Sequence, residues 1–140
     1  MTLKYMKPRT TFIFLLLASF LMMGCTETHT TDANECYSLW SGKKPETGLI
    51  LLHGDYKQIG GFIKEYTLFM ELKADSSWRS NFISINELIP DQDTWSPPAD
   101  APIWFKPDNR YKVWKDAKPF AESRYLEDTG TGKMFIYEVE

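Results

Sequence analysis

The sequence predicts an α+β fold, with a mostly antiparallel sheet of about five strands and one main helix packed on one face. Three observations predict this fold class. Residues 64–73 alternate along a strand, residues 76–88 repeat large apolar side chains with a helical period, and residues 122–140 have the pattern of a hairpin. A change of apolar period from two to about 3.6 is typical of a sheet that carries a helix.

The first part of the predicted domain is the least regular. Residues 36–44, CYSLWSGKK, fit either a short helix or an irregular packing segment. Residues 49–52 are wholly apolar, which predicts a short buried strand. Residues 53–55 follow as a predicted turn, and residues 60–61, both glycine, mark a second break.

The strand over residues 64–73 has the clearest pattern in the chain. One face carries Tyr66, Leu68, Met70 and Leu72, and the other carries Thr67, Phe69, Glu71 and Lys73. Because only the first set is consistently apolar, we expect this strand to be half buried. Glu71, on the second face, is expected to point into solvent.

Residues 76–88 predict the main helix, because three apolar side chains recur on one helical face: Trp78, Phe82 and Ile85. Asp75 or Ser76 is suited to cap its first turn. Pro90 is expected to end the helix, since the residue before a proline is pushed out of helical angles.

Residues 89–109 contain five of the eight prolines and are predicted to lack regular structure. Their aromatic side chains indicate that the segment packs down rather than moving freely. Residues 110–114 then predict a short strand. Residues 122–127 and 133–140 flank the glycine-containing turn DTGTG, which predicts a terminal hairpin.

The N-terminal segment has the order of a secretory signal. MTLKYMKPR carries three basic side chains and no acid, and thirteen mostly apolar residues follow before Gly24 and Cys25. A membrane-spanning helix needs about 20 apolar residues, so this run is short for one. We therefore predict that residues 1–24 are a signal peptide.

The ending LMMGC resembles the lipobox of bacterial lipoproteins. The resemblance implies that Cys25 is lipidated and becomes the acylated first residue after cleavage. Thr26, where an aspartate would imply retention, implies sorting to the outer membrane, facing the periplasm. Residues 25–35 are then predicted to be a flexible tether, and residues 36–140 a single α+β domain.

The charge balance limits the partners. Without residues 1–24, 13 basic side chains remain against 19 acidic ones, a net charge of −6. This balance argues against a nucleic-acid partner, whose phosphates call for a basic face, and it leaves a basic protein partner open. With Cys25 acylated, Cys36 has no disulfide partner and is expected to be a small buried residue.

Residues 51–54, LLHG, resemble a strand end of α/β-hydrolases that helps to form an oxyanion hole. A serine hydrolase of that family also needs a nucleophile in G-x-S-x-G, and the sequence contains no such pentapeptide. We interpret LLHG as a buried strand that ends in a turn. We predict no catalytic residue.

No metal or cofactor is predicted. Asp91 and Asp93 begin like a calcium loop, but Trp95 stands at the next ligand position. A glycosidase needs two carboxylates at a defined separation, which spacing along the chain does not give. The acids available for such a pair are Asp55, Glu65, Glu71 and Glu87.

The segment 89–109 is the candidate recognition surface, with Trp95, Trp104, Phe105, Asp91 and Asp93 as its candidate partner-binding residues. Prolines reduce the entropy lost on binding, and tryptophan is a favoured interface anchor. The alternative is that the two tryptophans cover an open face of the sheet. WFKP and GKMFIYE resemble small bacterial proteins with no assigned activity, which implies no site residue.

We therefore expect a lipid-anchored binding protein of the cell envelope without catalysis. It would be an inhibitor or immunity-type protein that neutralises a periplasmic effector or enzyme, and its partner would be a protein with a basic contact surface. The alternative is an envelope lipoprotein that binds or hydrolyses glycan or peptidoglycan, with Trp95 or Trp104 stacked on sugar rings.

Overall fold

The computed structural model describes residues 27–60 and 65–140. The predicted signal peptide and Cys25, the predicted lipidation site, lie outside the described residues. Those residues form two helices and seven strands: β1 (Glu27–Thr30), α1 (Ala33–Ser41), β2 (Ile50–Ile59), β3 (Glu65–Lys73), α2 (Ser76–Ile85), β4 (Ile89–Pro90), β5 (Lys112–Lys115), β6 (Arg124–Glu127) and β7 (Lys133–Val139).

All seven strands belong to one sheet in the order β1-β2-β3-β7-β6-β5-β4, and each neighbouring pair is antiparallel. The predicted α+β class and the antiparallel sheet are confirmed, although the sheet has seven strands rather than about five and α1 is a second helix. The additional strands β1 and β4 are short edge strands, too short to show an alternating pattern. Pro90 is accommodated in β4 because an edge strand needs hydrogen bonds on one side only.

Strand β3 is central, and both of its faces are buried. Leu68, Met70 and Leu72 are fully buried on one face, as their alternation predicts. Glu71 lies on the opposite face and is only 6% exposed, so its predicted exposure to solvent is wrong. Its carboxylate is satisfied inside the protein, because Lys133 Nζ lies 2.6 Å from Glu71 Oε1 and His53 Nδ1 lies 2.8 Å from Glu71 Oε2.

The face of the sheet that carries Leu68 and Met70 is covered by the two helices, and we call it the helical face. Helix α1 approaches β2 at Gly54, where an added Cβ would lie 2.8 Å from Cys36 Sγ. Cys36 is buried, as predicted, and burial, reinforced by the Asp55 carboxylate, raises the pKa of its thiol to about 11. The predicted turn at residues 53–55 is wrong, because β2 continues beneath this helix.

The residues 27–35 are an edge strand and the first turn of a helix, where the sequence predicts a flexible tether. Thr30 of β1 pairs with Tyr56 of β2, and Asp32 caps α1 by accepting a hydrogen bond from Glu35 N at 2.8 Å. Polar residues suit an edge strand that lies largely in solvent. Such a strand therefore has no apolar signal in the sequence.

Helix α2 begins as predicted, with Asp75 accepting a hydrogen bond from Trp78 N at 2.7 Å. It ends at Ile85, three residues before the predicted end. Glu87 adopts a left-handed conformation with φ of 52°, and Leu88 N donates to Ile83 O, which together form a Schellman-type stop. Leu88 is buried after this turn, whereas Ile85 is 70% exposed and its predicted place in the core is wrong.

A buried ion pair fixes α2 to the sheet. Arg79 Nε lies 2.9 Å from Glu127 Oε1 of β6, and Trp114 Nε1 donates to Glu127 Oε2 at 3.2 Å. Arg79 also donates to the carbonyl oxygen of Ala74. Both charges are paired and hydrogen-bonded, as burial of a charge requires.

The opposite face of the sheet is covered by the segment between β4 and β5, and we call it the loop face. Its buried core is Phe69, Phe105, Leu126 and Phe135, with Trp95 and Trp104 packed against it. Phe105 meets Phe69 and Phe135 edge to face, with ring centroids 5.1 Å and 5.2 Å apart. Apart from β4, residues 89–109 contain no strand or helix, as predicted, and they contribute Phe105 to the buried core of the loop face.

The packing of α2 gives a paired stability prediction. Phe82 stacks on Trp78 and also contacts Trp40 and Tyr125, so Phe82→Ala should lower the free energy of unfolding by about 3 kcal/mol. Ile85→Ala, on the same helix, is the matched control and should change it by less than about 0.5 kcal/mol. Urea denaturation followed by circular dichroism measures both. Equal losses in the two variants would contradict the described orientation of the helix.

Candidate functional site

The helical face is open beside the C-terminal end of α2, where two clefts adjoin. Their volumes are about 630 Å³ and about 430 Å³. The larger lies between α2 and the segment that joins β5 to β6, and the smaller lies between α2 and α1. Ile85, Asn86 and Glu138 line both, and we call the two clefts together the Glu138 cleft.

Glu138 occupies a core-facing position of β7, after Met134 and Ile136 on the same face. Three neutral side chains donate hydrogen bonds to its carboxylate. Trp40 Nε1 of α1 and the Tyr66 hydroxyl of β3 donate to Oε1, the former at 2.9 Å, and the Tyr125 hydroxyl of β6 donates to Oε2 at 2.7 Å. One carboxylate thus joins the first helix to three strands of the sheet.

The two tyrosines remain donors across the ordinary pH range. Burial raises the pKa of Tyr125 far above its usual value, and the negative charge and hydrogen bond of Glu138 raise it further. The pKa of Tyr66 is raised in the same direction, chiefly by burial and then by its hydrogen bond to Glu138. Their hydroxyl protons therefore stay in place at neutral pH, directed at the carboxylate.

Glu138 forms no ion pair with any residue that the structure describes. Well-buried carboxylates elsewhere in the described structure differ in this respect. Glu71 contacts Lys133, Glu127 contacts Arg79, and Asp91 contacts both Lys115 and Arg124. Glu138 is instead stabilised by neutral donors alone and borders a cleft that is open to solvent.

The lining of the cleft is strongly acidic. Six acidic side chains and two lysines line it: Glu46, Glu87, Asp116, Glu122, Glu138 and Glu140, with Lys43 and Lys118. Clefts lined by one sign of charge concentrate ligands of the opposite sign. The cleft is therefore suited to a cationic ligand or a basic surface.

Two large apolar side chains stand at the rim. Ile85 is the last residue of α2, and Phe120 lies in the segment between β5 and β6, where its side chain is 98% exposed. Phe120 also has a left-handed backbone, with φ of 63°, which is strained for a bulky residue and is a reason to suspect function.

The end of this segment is held firmly. Arg124 Nη1 donates to the Ala121 carbonyl at 2.6 Å, and Arg124 Nε lies 2.6 Å from Asp91 Oδ2. Ser123 Oγ accepts a hydrogen bond from Val139 N at 3.1 Å. Phe120 is thus presented from a fixed base, which reduces the entropy that it would lose on binding.

The aromatic residues predicted to bind a partner lie on the opposite face of the molecule. Phe105 is 2% exposed and belongs to the core, so its side chain is not available to contact a partner. Trp95 packs near Tyr137, with ring centroids 6.0 Å apart, and Trp104 stacks on His53 at 5.1 Å. This arrangement favours the alternative interpretation, in which the two tryptophans cover the sheet.

The two candidate acids have different surroundings. The Asp91 side chain is completely buried between Lys115 and Arg124, at 2.8 Å and 2.6 Å. Burial raises the pKa of its carboxyl, but hydrogen bonds from Lys115, from the Asp93 backbone N–H and from Arg124 outweigh burial and lower it. Asp91 is therefore a structural ion-pair residue. Asp93 is exposed and contacts only Lys115, at 3.2 Å. Among the described residues, no group of three or more His, Cys, Asp or Glu side chains could hold a metal ion.

His53 of the LLHG stretch lies within β2. The Nδ1 atom of His53 is hydrogen-bonded to Glu71 Oε2, and its ring stacks on Trp104. Of the other acids considered for glycan cleavage, Asp55 is bound to His29 at 3.1 Å, and Glu87 lies at the end of α2, lining the Glu138 cleft. The clefts that the described residues form beside α2 and β5 include Glu87 but neither His53 nor Asp55.

Glu138 and Phe120 are not among the site residues that the sequence predicts. A signal for Glu138 was present, because a charged residue at a core-facing strand position needs a specific environment. Phe120 gave no such signal, since its importance comes from exposure and backbone conformation.

Comparison with protein-family models, with curated proteins and with solved structures finds no match to this chain. Within the described part of the chain, no helix is both long enough and apolar enough to cross a membrane.

Proposed function

We propose that this protein is a lipid-anchored binding protein of the cell envelope that acts without catalysis. In this proposal it is an inhibitor or immunity-type protein, and it neutralises a periplasmic effector or enzyme by covering part of its surface. The contact surface is the Glu138 cleft with its rim residues Ile85 and Phe120, and the partner is a protein that is basic at the contact.

The observation that carries this proposal is the combination of an acidic cleft with a protruding aromatic side chain. Phe120 offers an anchor of the kind that dominates binding energy at protein interfaces. The surrounding carboxylates would attract a basic surface and speed its association. The net charge of −6 without residues 1–24 supports the same type of partner.

The membrane anchor in this proposal is the acylated Cys25, and the location is the periplasmic face of the outer membrane. Cys25→Ser removes the thiol that lipidation needs, so the variant should appear in the soluble envelope fraction while the wild type sediments with membranes. Fractionation with an antibody to the domain measures this. Equal sedimentation of both proteins would contradict the anchor.

Glycan binding is the second candidate, and one feature favours it. Trp40 and Trp78 line the smaller cleft beside the polar side chains of Ser41 and Asn81, a combination that suits stacking and hydrogen bonding to sugar rings. Trp95 and Trp104, the residues expected for this role, are partly covered on the loop face. A neutral glycan, however, gives no reason for six acidic side chains around the cleft.

The test is affinity capture from envelope extracts of the host and its competitors, with the full chain in mild detergent as bait. Wild type should recover one stoichiometric protein and abolish that protein's activity. Phe120→Ala should lower the affinity at least about tenfold, since a truncated anchor costs more than about 1.4 kcal/mol. Ile103→Ala is the matched control, because Ile103 is 83% exposed but lies outside the cleft, and it should bind as wild type.

Three results would contradict the proposal: retention on peptidoglycan with no protein partner, capture that is equally strong with Phe120→Ala, or a captured enzyme that stays fully active.

A further inference from the structure

We propose that the Glu138 carboxylate is the binding site for an arginine guanidinium group inserted into the cleft. The inference rests on the proposed function for the source of that arginine, a basic partner protein. The site itself is defined by residues of this chain, so it can be tested without the partner.

The carboxylate has unused capacity. An ionised carboxylate offers about four acceptor positions on its two oxygens. Trp40 and Tyr66 donate to Oε1, whereas only Tyr125 donates to Oε2. One acceptor position on Oε2 therefore remains for a donor that enters from the cleft.

The carboxylate also lacks a compensating charge. In the described residues, each well-buried acid has a lysine or arginine within ion-pair distance, as Glu71, Asp91 and Glu127 show. Lys43 and Lys118 line the cleft but are exposed, and neither is paired with Glu138 in the described structure. A cation supplied from outside would complete the pattern that the rest of this interior follows.

The surroundings favour guanidinium over ammonium. Trp40, Trp78 and Phe82 line the smaller cleft next to Glu138. A guanidinium group is planar, stacks on aromatic rings and is more weakly hydrated than an ammonium group, so it loses less on leaving water. The smaller cleft, at about 430 Å³, is of the size of small-ligand pockets and accommodates a single side chain.

The probe is N-acetyl-L-arginine amide, titrated into the full ¹⁵N-labelled chain in detergent. The Trp40 indole N–H donates to Glu138, so its NMR signal reports directly on the site. We expect a saturable shift with a dissociation constant in the millimolar range. N-acetyl-L-citrulline amide, which has nearly the same shape without charge, should bind at least about tenfold more weakly, and so should N-acetyl-L-lysine amide.

Two charge-matched variants separate a specific site from general attraction. Glu138→Gln should weaken arginine binding at least about tenfold, whereas Asp100→Asn removes one exposed charge outside the cleft and should change it less than about twofold. The comparison of arginine with citrulline needs only the wild type, so the test survives if Glu138→Gln fails to fold.

Three outcomes would overturn the inference: no saturable shift, equal binding of arginine and citrulline or lysine, or equal weakening by the two variants. If the chain binds the arginine probe but affinity capture recovers no protein partner, the proposed function is refuted and the arginine site is supported. If affinity capture recovers a protein partner but the arginine probe does not bind, the arginine site is refuted and the proposed function is supported.

Discussion

The structure depends on the burial of both faces of its two central strands. Leu68 and Met70 of β3 and Ile136 of β7 are buried on one face of the sheet, while Phe69 and Phe135 are buried on the other. An antiparallel sheet often leaves one face in water, but these two strands carry large apolar side chains on both faces, so both faces must be covered. The helices α1 and α2 cover the first face. The proline-rich segment 89–109 covers the second face. This explains why a segment with so little regular structure packs three aromatic side chains, Trp95, Trp104 and Phe105, against the sheet.

Because both faces of the sheet are buried, the acidic side chains of the interior need partners within the protein. Among the described residues, the acids that are enclosed by both sheet and cover are accompanied by a cation of the chain, as in the pairs Arg79–Glu127 and Lys133–Glu71. Glu138 stands where the cover is incomplete, between the end of α2 and the segment that carries Phe120. Neutral donors hold its carboxylate in place at the border of the cleft. The candidate binding site thus lies on the helical face, where the helices end. The loop face is covered by the segment between β4 and β5.

The sequence predicted those parts of the fold that rest on local patterns. The strand β3, the cap of α2 at Asp75 and the β6–β7 hairpin are confirmed, because each is determined by neighbouring residues, whereas the predicted half-burial of β3 is wrong. The continuation of β2 through Gly54, the burial of Glu71 and the exposure of Ile85 depend on contacts with distant segments, which one sequence does not reveal. For the same reason the sequence predicts a binding surface at residues 89–109, which the structure packs against the sheet. Their tryptophans look alike whether they bind a partner or cover a sheet.

The most direct test of this account is the stability of Phe105→Ala, with Phe120→Ala as the matched control. Urea unfolding of the full chain would be followed by far-ultraviolet circular dichroism for the helices and strands, and by near-ultraviolet dichroism for the packed aromatic rings. If both faces form one core, Phe105→Ala loses about 3–5 kcal/mol of unfolding free energy in a single transition shared by both signals, and Phe120→Ala loses less than about 0.5 kcal/mol. A small loss for Phe105→Ala, or separate transitions of the two signals, would contradict the claim that residues 89–109 are structural and that the binding surface lies on the helical face.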